Sequence, residues 1–576
     1  MAKERILITS ALPYVNGIPH LGHLAGCLLP SDVYARFNRY IGNEVLYIGG
    51  TDEHGTPSEI GAKKEGMDVY DYTTKYHNLH KDIYEKFNLS FNYFGRTSSK
   101  ENIETTQQIA RELFKNGYIE ERESEQMFSI TDNMFLPDRY VIGTCPYCGA
   151  DNARGDQCEK CTKVLDAKDL INPRSAISGA TDLEFRKTKH LYITLSKLSD
   201  KVRNWVNSRD WNKLTIGIAN KWLDEGLEDR SITRDLKWGV PVPTDVFPNM
   251  EGKVFYVWFD APIGYISITK EWAEKRGKDY KEWWRLDGGA DDVRYVEFMG
   301  KDNVPFHSIT FPATLIGADE NYKKVDVLKG LSYLNFNGGK FSKSANRGIF
   351  ADQAIEEFEA DYWRYWLIKN APETDDTDFT FERFAEEINK DLNDVLGNFI
   401  LRVLKFYNSK FGLEVLHNAR NSEKENEVIK TLSEKVATYT TYLQNMEYRK
   451  AMSELRSIWV LGNEYIDELA PWSVYKTEPD VAGEILVFAM NLIRIFMILA
   501  RPIIPNTAER ILRNLNIPND NDNNLKKICD IKNEWIFNVG YEMFIIGKGH
   551  KFSIPESVFT KISADKVAEL NEKYNK

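Results

Sequence analysis

Two short segments of this chain carry residues suited to phosphate chemistry. Pro19-His20-Leu21-Gly22-His23 lies near the start, and Lys340-Phe341-Ser342-Lys343-Ser344 lies well past the middle. Histidines three apart in the first turn of a helix point the same way, where the helix N-terminus already favours anions. Gly22 between them would let a flat base approach the backbone. Lysines on a loop flanked by Asn337-Gly338-Gly339 and Asn346-Arg347-Gly348 can swing in and neutralise phosphate charge. Alone, each string is weak: an H-x-x-H is most often two ordinary histidines, and a Lys-rich turn is most often solvated. In this order, together, they describe two walls of one nucleotide site.

The elements that must position these walls follow from local rules. Arg5-Ile6-Leu7-Ile8-Thr9-Ser10 is a short apolar run of the kind found in buried parallel strands. Pro13 and Asn16-Gly17 break it, and His20 to Tyr40 reads as an amphipathic helix with Leu24, Cys27, Leu28, Val33, Ala35 and Phe37 among its apolar positions. Residues 1–118 alternate strands and helices, the first half of a doubly wound, Rossmann-like parallel sheet. The sheet resumes over 231–330, where Lys253–Phe259 and Arg294–Met299 read as strands. Residues 331–385 hold the mobile signature loop and a short helical linker. Over 386–545 glycine and proline are sparse and Val395, Phe399, Val403, Leu404 and Tyr407 recur at helical spacing, which predicts a helix bundle. Pro518–Asn524 reads as a solvated loop within it, and 546–576 is a tail. The class is α/β, with an insertion and a helical domain.

The insertion, 119–230, carries the other strong signal. Cys145-Pro146-Tyr147-Cys148 and Cys158-Glu159-Lys160-Cys161 are two C-x-x-C turns separated by nine residues. Four thiolates on two such turns close a tetrahedral zinc site with no open position, so one structural Zn²⁺ is expected. Disulfides or a redox pair would need an oxidising compartment or a single C-x-x-C. Cys27 and Cys529 read as small buried apolar residues.

Composition sets bounds only. At 576 residues, 42% hydrophobic and 28% charged, the chain has the make-up of a soluble globular protein of several domains. No apolar run looks long enough to span a bilayer, and Met1–Arg5 leads into a strand without a signal-peptide core, so a cytoplasmic protein with no membrane partner is expected. The net charge of −11 does not exclude RNA, which needs a local basic track rather than a basic total. No DNA partner is expected.

The two signatures resemble the H-I-G-H and K-M-S-K-S motifs of class I aminoacyl-tRNA synthetases, with Leu21 and Phe341 as apolar replacements. Ala11–Gly17, Gly50–Pro57, Tyr256–Pro262 and Gly300–His307 narrow the resemblance to the methionyl-tRNA synthetase family, over the chain to about residue 550. It implies a ligase that joins L-methionine and ATP, with Mg²⁺, into methionyl-adenylate and then charges initiator and elongator methionine tRNA. By resemblance, His20, Gly22, His23, Lys340 and Lys343 handle ATP, and Ala11, Leu12, Tyr14, Trp258, Ala261, Pro262, Tyr265 and His307 line the side-chain slot. Asp52 matches the carboxylate that holds the amino group, and Asn398, Arg402 and Trp472 match anticodon contacts. Asn398 and Arg402, i and i+4, share a helix face, and Trp472 could stack an unpaired base. Asn172–Gly179 resembles a second knuckle whose cysteines are Ser175 and Ser178, poor zinc ligands. The chain reaches Lys576 soon after the bundle, without the dimerising domain of many family members, so a monomer is expected. The alternatives are a synthetase for leucine, isoleucine or valine, which would carry a larger editing insertion, and a non-catalytic tRNA-binding relative, which would be expected to lose His20, His23 or Lys343.

Overall fold

Five strands build the sheet that positions the cleft: β1 (Arg5–Ser10), β2 (Glu44–Thr51), β3 (Tyr93–Arg96), β4 (Val293–Gly300) and β5 (Val327–Leu331). A computed structural model describes residues 3–136, 140–155, 158, 160–161, 165–341, 347–517 and 539–575. The strand order is β5-β4-β1-β2-β3, and every pairing is parallel. Ile6 through Ser10 are all buried, so both faces of β1 are covered, which explains its continuous apolar run. The chain order reverses between β1 and β4. In an open parallel sheet the crevice beyond the strand ends at that point is where ligands bind.

The helix after β1 starts at Leu21, widens by one residue over Leu24–Leu28 and continues through Leu29–Tyr40. It is not amphipathic as its sequence suggested. From Leu29 to Tyr40 every residue but Arg39 is buried, because the helix runs between the sheet and the later helical domain. Asp32 shows how that burial is tolerated. Its carboxylate meets Arg36 Nε at 2.9 Å and Arg364 Nη2 at 2.7 Å, and Ser90 donates to it twice. Burial pushes this carboxyl up, but the two guanidinium groups outweigh it and hold it at about 2. Arg364 also donates to the carbonyls of Phe87, Pro502 and Ile503, tying the sheet to the helical domain.

The expected strand at Lys253–Phe259 is corrected. Only Val254–Phe255 is extended, and Val257–Glu274 is a helix with Pro262 inside it. The β-branched and aromatic run favours a strand locally. Ile263, Tyr265, Ile266 and Ile268 are buried as well, so the helix is apolar all round and shows no helical period for the sequence to display.

The insertion is carried on a long antiparallel ribbon, Ile119–Ser129 against Leu183–Ile193. At its far end Met127, Leu136, Tyr140, Val141, Cys145 and Cys158 form a separate small core. Helices Leu195–Asn207 and Lys213–Glu225 then return to the main core through Leu198, Val202 and Leu223.

The helical region contains Asn398–Phe411, Glu423–Gln444, Tyr448–Leu469 and Pro479–Ala500. Phe399, Val403, Leu404 and Tyr407 are buried as their spacing predicted, and Val395 is half-buried. One expectation fails here. Pro479–Ala500 is 22 residues long and apolar enough to cross a membrane, but 89% of its apolar window is buried in the bundle, where it serves as the central helix. Pro518–Asn524 and Cys529 lie outside the described residues.

Candidate functional site

A cleft of about 440 Å³ opens at the β1/β4 reversal. His20, Gly22, His23 and Lys340 line it, together with Ala11, Leu12, Tyr14, Asp52, Trp258, Ala261, Pro262, Tyr265 and His307. Residues from five separate stretches of sequence thus meet in one cavity. Lys343, with the rest of 342–346, lies outside the described residues.

The histidines are held by the helix start itself. His20 caps the helix: its Nδ1 accepts from Gly22 N at 3.1 Å, while His23 Nδ1 accepts from His20 N at 3.1 Å. Both Nδ1 atoms are therefore acceptors, so each neutral ring carries its proton on Nε2. Burial lowers both, aided by His23 for the His20 ring and by His80 for the His23 ring; His20 falls well below the usual range and His23 to about 4. The site offers neutral N–H donors rather than imidazolium charges. Gly22 has a role the sequence did not show. A Cβ there would lie 2.8 Å from the His20 ring, so glycine is needed for the cap to fold over.

The two signatures touch. The Phe341 ring lies parallel to His20, 4.9 Å between centroids. His20 also pairs through its backbone with Phe350 beyond the loop, and Ala351 N donates to Pro19 O at 2.8 Å. Lys340 Nζ sits 5.3 Å over the Tyr333 ring, whose hydroxyl donates to Asp302. Asp302, Asn303 and the Ser332–Asn335 stretch line the cleft as well and were not anticipated. Asp302 stood in a quoted motif; Ser332–Asn335 carries no motif at all.

Beside the His20–His23 wall lies an apolar slot. The Trp258 ring stacks on Phe306 at 3.8 Å and meets Tyr14 edge-on at 6.3 Å. Its polar end is a fixed pair: His307 Nδ1 donates to Asn303 O at 2.9 Å, so Nε2 accepts from the Tyr265 hydroxyl at 3.0 Å. Burial lowers His307 to about 4, so it stays neutral. At the other end Asp52 sits on a bridge with Tyr14. Burial, then Asp260 and Glu53, push its carboxyl well above the usual range, and Oδ1 has no hydrogen-bond partner. A buried, under-satisfied carboxylate at the mouth of an apolar slot calls for a cationic donor. Cys27, read as an apolar core residue, is buried but lines the cleft, with its thiol pushed up to about 12 by burial.

The four cysteines converge. Their sulfurs all lie within 4.8 Å of one another, with Cys145–Cys161 at 3.8 Å and Cys148–Cys158 at 3.6 Å. A tetrahedron of ~2.3 Å Zn–S bonds has edges of about 3.8 Å, so the set fits zinc. The Ser175–Ala180 turn copies the Cys145–Ala150 turn. Ser175 N donates to Ala180 O at 2.8 Å and Gly179 N to Ser175 O at 2.9 Å, as Cys145 N does to Ala150 O at 2.9 Å and Gly149 N to Cys145 O at 3.0 Å. There the Asp132 carboxylate, accepting from Ser129 at 2.8 Å and Ser178 at 2.9 Å, takes the central place.

In the helical domain, Arg402 lies 4.7 Å over the half-buried Trp472 ring and donates to Asp467 at 2.8 Å. Asn398 is exposed one turn away. Trp472 stands just past a helix end. Ala470, at φ 40°, closes Tyr448–Leu469, and Pro471 starts a separate turn, Pro471–Val474, that carries the Trp.

Residues 6–404 match the model of class I tRNA synthetases of the methionine type, and 415–576 match the anticodon binding domain of methionyl tRNA ligase. A methionine–tRNA ligase of Cereibacter sphaeroides strain KD131 is 51% identical over 579 aligned residues, covering 99% of both chains. One from Dinoroseobacter shibae is 52% identical over 573, covering 98% of both. The solved Mycobacterium tuberculosis methionyl-tRNA synthetase in complex with methionyl-adenylate has the same fold, with a TM-score of 0.76 at 22% identity, over 96% of this chain and 99% of that one. On the two family models, which together span nearly the whole chain, and on full-length relatives at 51–52% identity, the chain belongs to the methionyl-tRNA synthetase family of class I aminoacyl-tRNA synthetases.

Proposed function

We propose that this chain activates L-methionine with ATP, releasing pyrophosphate, and transfers the methionyl group from the adenylate to the 3′ end of initiator and elongator methionine tRNA. One observation carries the reading: a single cleft joins the His20–His23 and Lys340 walls to an apolar slot ended by Asp52. The thioether side chain fits the slot of Trp258, Ala261, Pro262, Leu12 and Ala11, with the Tyr265–His307 pair and Tyr14 at its polar rim. The ammonium goes to Asp52.

The carboxylate of bound methionine attacks the α-phosphorus of ATP in line, and no covalent enzyme intermediate is needed. His20 and His23 donate from Nε2 to phosphate oxygens at the helix start, and Gly22 keeps that start open. Lys340 and Lys343 stabilise the charge that builds on departing pyrophosphate. ATP arrives with Mg²⁺ on its phosphates. A ribose hydroxyl of the tRNA terminus, the 2′-OH by class, then attacks the adenylate carbonyl. Trp472, Arg402 and Asn398 stack and hydrogen-bond the anticodon.

Cys145, Cys148, Cys158 and Cys161 would hold one Zn²⁺, whose role is to crosslink the small distal core. We assign 1–118 and 231–330 to the nucleotide fold, 119–230 to the zinc-bearing insertion, 331–385 to the loop and linker and 386–576 to the anticodon domain, whose family match runs to residue 576. The protein acts as a cytoplasmic monomer. Pyrophosphate exchange with each amino acid in turn tests the reading. Methionine alone should drive rapid exchange; exchange driven instead by leucine, isoleucine or valine, or by none, refutes it.

A further inference from the structure

Two walls of the slot come from distant parts of the chain. The turn after β2 brings in Asp52, and the first turns of Val257–Glu274 bring in Trp258, Ala261 and Pro262. One buried contact joins them. His54 Nδ1 lies 2.7 Å from Asp260 Oδ2, across 206 positions of sequence, with His54 3% and Asp260 0% exposed. Neither residue lines the cleft.

Both ends of this contact are braced. Asn102 Nδ2 donates to the same Asp260 oxygen at 3.2 Å and to Thr97 O at 2.8 Å, while its own oxygen accepts from Ser267 at 2.9 Å. On the other side the Trp238 ring packs edge-on to His54 at 5.3 Å, and its indole N–H donates to Glu53 O at 2.7 Å. His54 follows Asp52 by two residues in the segment just after β2, so holding His54 restrains Asp52. A buried pair with additional hydrogen bonds on each partner is geometrically rigid, and removing either partner leaves the other unsatisfied. Asp260 Oδ1 and Asp52 Oδ1 are both buried without a hydrogen-bond partner.

We propose that His54 and Asp260 are a positioning pair for the amino-acid substrate. The pair sets the separation between Asp52 and the Trp258–Pro262 wall, and so sets affinity and selectivity for the amino acid without touching it. This rests on reading the cleft as an amino-acid site. A shift of well under an ångström in such a slot is felt as weaker binding, because the ammonium and the side chain can no longer be satisfied together.

The test uses the full-length protein in pyrophosphate exchange. His54→Ala and Asp260→Asn should each raise the methionine KM about tenfold or more, while the ATP KM stays within about twofold and kcat changes little. The double variant should be no worse than the poorer single variant, since the two residues act as one contact. His54→Asn puts an amide N–H donor in the place of Nδ1, facing Asp260, and should recover part of the loss of His54→Ala. It also serves as the readout if Asp260→Asn does not fold. Methionine KM values at the wild-type level, ATP and methionine KM rising together, or losses that multiply in the double variant would each overturn the proposal. Wild-type exchange driven by another amino acid would instead overturn the functional reading, and the same variants would then be measured against that amino acid.

Discussion

Phe341 and His20 lie face to face, 4.9 Å apart with 1° between their planes. One ring comes from the lysine signature and the other from the histidine signature, over 300 residues earlier. Phe341 leans on Phe336 as well, at 5.7 Å, so the stack ties His20 to the entry of the lysine loop.

Phe341→Ala should therefore loosen His20 and raise the ATP KM. An aromatic pair contributes ~0.5–1.5 kcal/mol beyond its buried area, so the rise should be roughly two- to tenfold. The methionine KM should stay within about twofold. Phe341→Met should restore most of the loss, since a thioether packs well on a ring. A methionine KM that rises as much as the ATP KM would mean the residue supports the whole cleft rather than its phosphate wall.

Much of this was legible beforehand, and the limits have physical causes. β1 was placed residue for residue because a doubly covered strand reads as an unbroken apolar run. The cysteine set was legible because ligand spacing on a tight turn is local. Val257–Phe259 misled because a helix buried on all sides has no polar face to mark its period. The same cause hid the all-round burial of Leu29–Tyr40. Ser332–Asn335, part of the cleft wall, could not be found from sequence, since only the packing of β5's exit against the cleft selects it. His54 and Asp260 stood inside quoted motifs, yet nothing in either motif shows that they meet.

Lys343→Ala should cripple adenylate formation far more than methionine binding. An interaction made as charge builds on the departing pyrophosphate lowers kcat rather than raising KM. A normal exchange rate with a raised methionine KM would refute that role.

Glu297 sits in the sheet opposite Thr9, fully buried, with Tyr295 OH donating to it at 2.7 Å. Burial pushes its carboxyl up to about 8. The folded chain keeps this proton while the unfolded chain loses it at the ordinary carboxylate value, so this group's contribution is fully present at low pH. It is lost as the pH rises toward and through about 8. Glu297→Gln mimics the protonated form. Denaturant stability measured from pH 5 to 8.5 should fall more steeply for the wild type than for this variant. Parallel curves would show that Glu297 is ionised in the fold.

The purified protein should hold one zinc per chain. Cys145, Cys148, Cys158 and Cys161 supply a closed thiolate set, whereas the copied turn at Ser175–Ala180 is occupied by Asp132 and hydroxyls. A strong chelator should remove that zinc and raise proteolysis around residues 140–161 before it affects the sheet, because the Met127–Cys158 core is separate from the main one. Elemental analysis giving two zincs, or none in metal-replete protein, would show this reading is wrong.

Trp472→Ala should weaken aminoacylation of tRNA yet leave methionine-dependent pyrophosphate exchange nearly intact. The ring is half-buried, with Arg402 covering it at 4.7 Å and Asp467 holding Arg402 at 2.8 Å. That arrangement pre-orients a stacking platform and a hydrogen-bonding guanidinium on one surface, away from the cleft between β1 and β4. Loss of a base-stacking ring costs on the order of 1–3 kcal/mol. That is roughly a five- to hundredfold loss, felt only when tRNA is a substrate. Arg402→Lys should give a smaller loss of the same kind, since a lysine keeps charge but not the planar fork. Equal losses in both assays for Trp472→Ala would mean that the ring is a packing residue of the Pro471–Val474 turn, and the anticodon contact would have to lie elsewhere on the bundle.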